Sequence, residues 1–181
     1  MSTKTEATIE DLYKVEGKAE LVNGEIVHMS PTGKRPSYAA MQVVFSLDRY
    51  AKETGRGYPV TDGAGFVVNL PHRKSFSPDA AFYVGDMDDM KFYEGAPPFA
   101  VEVRSEGDYG PKAEEAMARK REDYFAAGTR VVWDVDLLSE TPVRVFRAGD
   151  HENPTLYRRG ETAEAEPALP GWTMPVDDLF V

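Results

Sequence analysis

The sequence predicts a mixed α/β fold, a central sheet flanked by helices with a hairpin near its N-terminal end, and three observations carry that prediction. Asn23-Gly24 stands between two apolar runs; two stretches repeat apolar or small residues at three- and four-residue intervals; and one of those stretches lies between strand-like runs at Phe99 and Val131. Asn-Gly tolerates positive φ at both residues and so favours a type I′ hairpin. A helix between two strands implies a right-handed crossover and a parallel pair. With 181 residues, 41% hydrophobic and 11% aromatic, the chain can bury a full core, and residues 1–181 are expected to form one domain.

Taken in order, Thr8–Tyr13 suits a short helical turn, and Ala19–Met29 forms the hairpin, with Glu20 at the start of its first strand. Pro31 and Gly33 break the chain. Pro36-Ser37 then opens an amphipathic helix through Ala39, Ala40, Val43, Val44, Leu47, Tyr50 and Ala51 that ends near Gly55. Strands follow at Tyr58–Val60, Gly65–Leu70 and Asp79–Val84, then a solvated acidic loop at Gly85–Met90 with a short helix before Pro97. Phe99–Arg104, bounded by Pro97-Pro98 and Gly107, reads as an interior strand.

Pro111 begins a second helix that runs to Ala127, with Gly128 as its cap. Lys120 falls on the apolar stripe of that helix, three residues after Met117 and four before Tyr124, so it points toward the sheet. Arg119 and Arg121 lie off the stripe and are expected in solvent. Thr129–Asp136 and Pro142–Arg147 form a hairpin, Leu156-Tyr157 adds an edge, Gly160–Ala168 reads as a surface loop or irregular strand, and Leu179-Phe180-Val181 anchors the C-terminal end.

A net charge of −10 argues against indiscriminate binding to phosphate backbones, although Lys34-Arg35 and Arg119-Lys120-Arg121 concentrate positive charge. Zero cysteines exclude disulfides, thiolate zinc sites and a cysteine nucleophile, which fits a reducing cytoplasm. With no apolar stretch of membrane-spanning length and no signal-peptide core, a soluble cytoplasmic protein is expected, with no membrane partner.

Glu102 interrupts an apolar strand, and a carboxylate there needs a partner or a cation. Alternation puts Asp79, Ala81 and Tyr83 on one face of their strand and Ala100, Glu102 and Arg104 on one face of theirs. If the two strands are neighbours, Asp79 and Glu102 meet. Paired carboxylates suit Mg²⁺ or Mn²⁺, and Lys120 would reach the same face from the helix. A cation that activates water beside a lysine that steadies developing charge is a constellation for phosphodiester hydrolysis. Taken singly, each residue also has a plainer reading. Glu102 suits a salt bridge to Arg104 or Lys120, Asp79 a turn, Lys120 a stem packed on Tyr124, and Glu20 a solvated hairpin position. Arg104 stays protonated, so it suits phosphate contact or pairing with Glu102. His28, His72 and His151 share no metal-ligand spacing.

The succession Glu20-Leu-Val-Asn-Gly-Glu-Ile-Val27, Met29-Ser-Pro-Thr-Gly33, Ser77-Pro-Asp-Ala-Ala81, Ala96-Pro-Pro-Phe-Ala-Val-Glu-Val-Arg-Ser105, Lys120-Arg-Glu-Asp-Tyr-Phe-Ala-Ala-Gly128 and Val132-Trp-Asp-Val-Asp136 resembles the Uma2 family, also called DUF820, across residues 8–180. That family is a branch of the PD-(D/E)XK nuclease superfamily with a restriction-endonuclease-like fold. The resemblance implies a metal-dependent endonuclease acting on DNA. Asp79, Glu102 and the Val103 carbonyl would be Mg²⁺ (or Mn²⁺) ligands, Lys120 a catalytic lysine moved onto the helix, and Glu20 an additional catalytic acid. It also implies a homodimer, since two cuts in a duplex need two sites. Two positions depart from the family pattern. Pro36 stands where many members carry a histidine, and Asp134 stands where an apolar residue is usual, which points to a more exposed strand. The acidic charge and the missing histidine support the alternative, a catalytically inactive nuclease-fold binding protein.

Overall fold

The computed structural model describes residues 5–181. Its elements run α1 (Ile9–Leu12), β1 (Ala19–Val22), β2 (Glu25–His28), α2 (Lys34–Thr54), β3 (Tyr58–Val60), β4 (Phe66–Val67), β5 (Ser75–Phe76), β6 (Ala80–Tyr83), β7 (Tyr93–Glu94), β8 (Phe99–Val103), α3 (Pro111–Ala127), β9 (Val131–Val135), β10 (Val143–Arg147), β11 (Asp150–Tyr157), β12 (Thr162–Glu164) and β13 (Thr173–Pro175), ending in a 3-10 turn at Val176–Leu179.

Local chemistry accounts for several boundaries. Thr8 and Asp11 cap α1 reciprocally, the Thr8 hydroxyl accepting from the Asp11 N–H while the Asp11 carboxylate accepts from the Thr8 N–H. Asn23 and Gly24 have φ of 51° and 70°, the pair of positive angles that a two-residue type I′ turn needs, and they join β1 to β2. Pro111 opens α3, and Gly128, at φ 112°, closes it by donating its N–H back to the carbonyls of Phe125 and Tyr124.

The main sheet has the order β11-β10-β9-β8-β6-β3. Its one parallel pair is β8 with β9, joined through α3, and the other neighbours are antiparallel. One face of this sheet is dry. Phe99, Val101, Val131, Trp133, Val143 and Val145 pack there under α2 and the C-terminal segment. Ala163, Ala165, Leu169, Trp172 and Met174 belong to that core, so residues 160–168 are not a surface loop; they hold the short strand β12, the other reading of this segment, which pairs with β13 in a small hairpin that covers the sheet. The opposite face is thinner in apolar side chains. Ala81, Ala100 and Val132 meet Tyr124 and Phe125 of α3 there, and the small sheet β5-β4-β7 supplies Phe66 and Phe76.

Other departures from the sequence reading are local. The amphipathic helix starts two residues early, at Lys34, because Pro36 falls within its first turn, where a missing N–H costs no intrahelical bond. The residues before Pro97 pair as β7 with β4 rather than coiling. Val181 is fully exposed, and Leu179 alone of the last three residues is buried. No helix among the described residues is long and apolar enough to cross a membrane.

Candidate active site

The thin face of the sheet carries the acids. Strands β6 and β8 are antiparallel neighbours, with Ala81 opposite Ala100, and Asp79 stands one residue before β6. The Asp79 N–H donates to the Val101 carbonyl at 3.1 Å, and the Val103 N–H donates to Asp79 Oδ2 at 2.7 Å. These two bonds hold Asp79 beside the end of β8. Asp79, Glu102, Val103, Lys18 and Lys120 all line one cavity of about 580 Å³.

Lys120 reaches this face from α3, as its place on the stripe requires. Its Nζ lies 2.8 Å from Glu102 Oε1 and 2.9 Å from Glu20 Oε1. Glu20 is not solvated; it is 3% exposed, beneath the cavity. Its Oε1 also accepts from the Ser77 N–H at 2.8 Å, and its Oε2 accepts from Arg73 at 2.7 Å. Arg73 in turn donates to Asp123 at 2.8 Å, and His72 contacts the other oxygen of Asp123 at 2.6 Å. The Tyr124 hydroxyl donates to Glu102 Oε1 at 2.6 Å, its ring stacked on Phe76 at 4.0 Å.

The electrostatics separate the two glutamates. Burial pushes the Glu20 carboxyl upward, but the charges of Lys120 and Arg73 overcome it and hold the group below its usual range. For Glu102 burial prevails over Lys120, reinforced by the charges of Asp79 and Glu20, so its carboxyl sits above the usual range. Burial also opposes the Lys120 ammonium, yet Glu102 and Glu20 outweigh it and keep Lys120 protonated well beyond neutral pH. Lys120 is therefore a charged donor, not a resting base.

Sequence reasoning missed three members of this cluster. Lys18 Nζ contacts Asp79 Oδ1 at 2.8 Å and Asp62 at 2.6 Å. The two-residue period of a strand, which sets Lys18 on the same side as Glu20, could have found it. Tyr124 lies four residues beyond Lys120 on the helix stripe, and Tyr hydroxyls seek partners when buried. Arg73 sits in the connection before β5, where no periodicity points anywhere.

Arg104 corrects two expectations at once. It partners neither Glu102 nor open solvent. Its Nε and one terminal nitrogen grip Asp134 at 2.8 Å each, and it also donates to Glu114. Asp134 is 3% exposed rather than on an open strand, because Arg104, just past the end of the neighbouring strand β8, neutralises it. Arg121, expected in solvent, instead lies 3.4 Å from Asp134 and 4.0 Å over the Phe146 ring. Arg119 does reach solvent.

Asp79 and Glu102 offer hard carboxylate oxygens to the cavity, and burial makes an ionised Glu102 costly there, so added positive charge would stabilise it. That donor set suits a small hard divalent cation. Among the described residues no three His, Cys, Asp or Glu side chains form a closed metal cage, so water or substrate oxygens would complete the coordination of such an ion.

Comparison with known proteins agrees with this architecture. A solved structure titled as a putative nuclease belonging to DUF820, from Anabaena variabilis ATCC 29413, superposes with a TM-score of 0.75 at 14% identity, covering 96% of this chain and 97% of that one. The shared fold is thus a DUF820 fold. No curated protein matches the chain. The sequence model of the Uma2 family, described as "Putative restriction endonuclease", matches residues 7–177. With that match spanning nearly the whole chain, the protein belongs to the Uma2 family.

Proposed function

We propose that the protein is a metal-dependent endonuclease that hydrolyses DNA phosphodiester bonds at the cavity between β6, β8 and α3. The observation that carries this reading is the position of the Lys120 ammonium, bonded to Glu102 on a cavity wall shared with Asp79. Family membership and the DUF820 neighbour, itself titled a putative nuclease, support the same reaction class.

Asp79 and Glu102, with the Val103 carbonyl, would hold Mg²⁺ or Mn²⁺. When bound, the ion would polarise a phosphoryl oxygen and lower the pKa of a coordinated water. The chain's own groups do the rest. Lys120, charged and fixed by two carboxylates, orients the attacking water and stabilises charge that develops on the phosphate. Glu20 has both oxygens engaged by Lys120, Ser77 and Arg73, so it acts as a positioning residue for Lys120 rather than as a ligand. Tyr124 fixes the Glu102 carboxylate by hydrogen bond. Arg104, consumed by Asp134 and Glu114, takes no part in phosphate contact.

The test is incubation of supercoiled plasmid with the protein and Mg²⁺ or Mn²⁺. Nicking or linearisation that disappears in Lys120→Ala and with EDTA supports the reading. Intact plasmid with both ions, at protein concentrations that bind it, favours the inactive binding protein instead.

A further inference from the structure

The cavity is lined by two lysines, Lys120 and Lys18. Lys18 is 14% exposed and touches two carboxylates at once, Asp79 Oδ1 at 2.8 Å and Asp62 Oδ1 at 2.6 Å. The two acids differ in setting. Asp79 is 13% exposed with its other oxygen tied to the Val103 N–H, whereas Asp62 is 40% exposed at the rim, its other oxygen accepting from the Thr32 hydroxyl at 3.4 Å.

Resting on the nuclease reading, we propose that Lys18 is the resident counter-cation of Asp79, and that a divalent ion entering the carboxylate pair displaces its ammonium onto Asp62. Two carboxylates facing one cavity repel, and burial makes that repulsion costly unless positive charge lies between them. Lys120 neutralises Glu102 but is pinned from behind by Glu20, which is buried and has no other position to offer it. Lys18 is not pinned in that way. It already touches its alternative seat, so it can release Asp79 by giving up one of two bonds, with no travel through the protein. A doubly charged ion at Asp79 gains more from the carboxylates than a single ammonium does, and the freed ammonium keeps a carboxylate partner at the rim. Affinity for the ion is then the outcome of a competition built into the site, and Asp62 sets its balance.

Calorimetric titration with Mn²⁺ alone, in the absence of DNA, tests this without any reading of activity. Lys18→Met removes the competitor and is expected to bind Mn²⁺ about tenfold more tightly than the wild type, a modest share of what a unit charge a few ångströms away can exert. Asp62→Asn removes the alternative seat and is expected to weaken binding severalfold in the wild-type background. The same change should alter it far less when combined with Lys18→Met, since no ammonium then needs a seat. Asp62 lies at the rim, so its variant keeps the test open even if Lys18→Met folds poorly. Equal Mn²⁺ affinity in the wild type and Lys18→Met, or a purely additive double variant, overturns the displacement while leaving the nuclease reading standing. Failure of both the wild type and Lys18→Met to take up Mn²⁺ overturns the two together.

Discussion

Lys120 and Glu20 meet at 2.9 Å, one from the middle of a helix and the other from the first strand of the N-terminal hairpin. The contact ties the hairpin to the core of the sheet and fixes the ammonium at the cavity wall. It also buries charge, and buried ion pairs cost much more to break than to replace.

Glu20→Gln should therefore cost stability, on the order of 3 kcal/mol, because Lys120 and Arg73 both lose a charged partner in a low-dielectric site. The Glu20 carboxyl is held below its usual range, so its contribution is present above about pH 4.3, the ordinary glutamate value, and is lost as pH falls through the lower, folded-state pKa. Urea unfolding should show the gap between wild type and variant widest near pH 7 and closing in acid. A gap that stays constant down to pH 3 would contradict the assignment.

Lys120→Met should lower plasmid cleavage by at least about a hundredfold, the usual loss when one preorganised donor to developing charge is removed. Because Lys120 is a cation beside Glu102, Mn²⁺ binding should be retained or tightened in the same variant. Loss of cleavage together with loss of Mn²⁺ binding would mean that the lysine organises the carboxylates and does no more.

Saturation with Mn²⁺ should raise the melting temperature of the wild type, since ligand at a hundred times its Kd adds about 2.7 kcal/mol and a chain of this size gains about 2–4 °C per kcal/mol. Asp79→Ala and Glu102→Ala should melt at the same temperature with and without the ion. Identical metal-induced shifts in all three proteins would remove the carboxylate pair from the proposed site.

Tyr124→Phe keeps the stack on Phe76 and deletes a single donor to Glu102, so a loss of about 1 kcal/mol is expected. The Glu102 carboxyl, already raised by burial, also loses a hydrogen bond to its ionised form. Cleavage by the variant should therefore begin to fail at a higher pH on the acid side than in the wild type. An unchanged acid limb would place the rate-limiting ionisation elsewhere.

Arg104→Met alone should be destabilising, by about 3 kcal/mol, because it removes the two 2.8 Å bonds that neutralise the buried Asp134 and leaves it only the longer contacts to Arg121 at 3.4 Å and Arg144 at 4.0 Å. Adding Asp134→Val should recover most of that loss, and binding of a DNA oligonucleotide should be unaffected in the double variant. Recovery of stability with loss of DNA binding would return Arg104 to phosphate contact.

The arrangement of these residues was legible in the sequence to different depths. Alternation alone put Glu102 on the face of Ala100, and the helix stripe alone turned Lys120 inward, since both periods are properties of a single element. The hairpin turn at Asn23-Gly24 was legible because it depends on the φ of two adjacent residues. Arg121 was misjudged by the same stripe logic, because an aromatic ring and a buried aspartate from other strands drew it back toward the protein. A strand within residues 160–168 was legible as one of two readings, but its burial was hidden, since its small apolar side chains become core only when the C-terminal hairpin folds over the sheet.

Sequence by itself determined most of the strands and helices of the main sheet, the faces of Glu102 and Lys120, and the acids and lysine proposed for the site. Tertiary structure alone decided that Glu20 lies beneath Lys120, that Arg73 and Lys18 join the cluster, and that Arg104 is spent on Asp134. The division has one physical cause. Period and turn geometry act over a few neighbouring residues, whereas an ion pair forms between whichever charges the packed sheet brings within a few ångströms, and no local pattern encodes that distance.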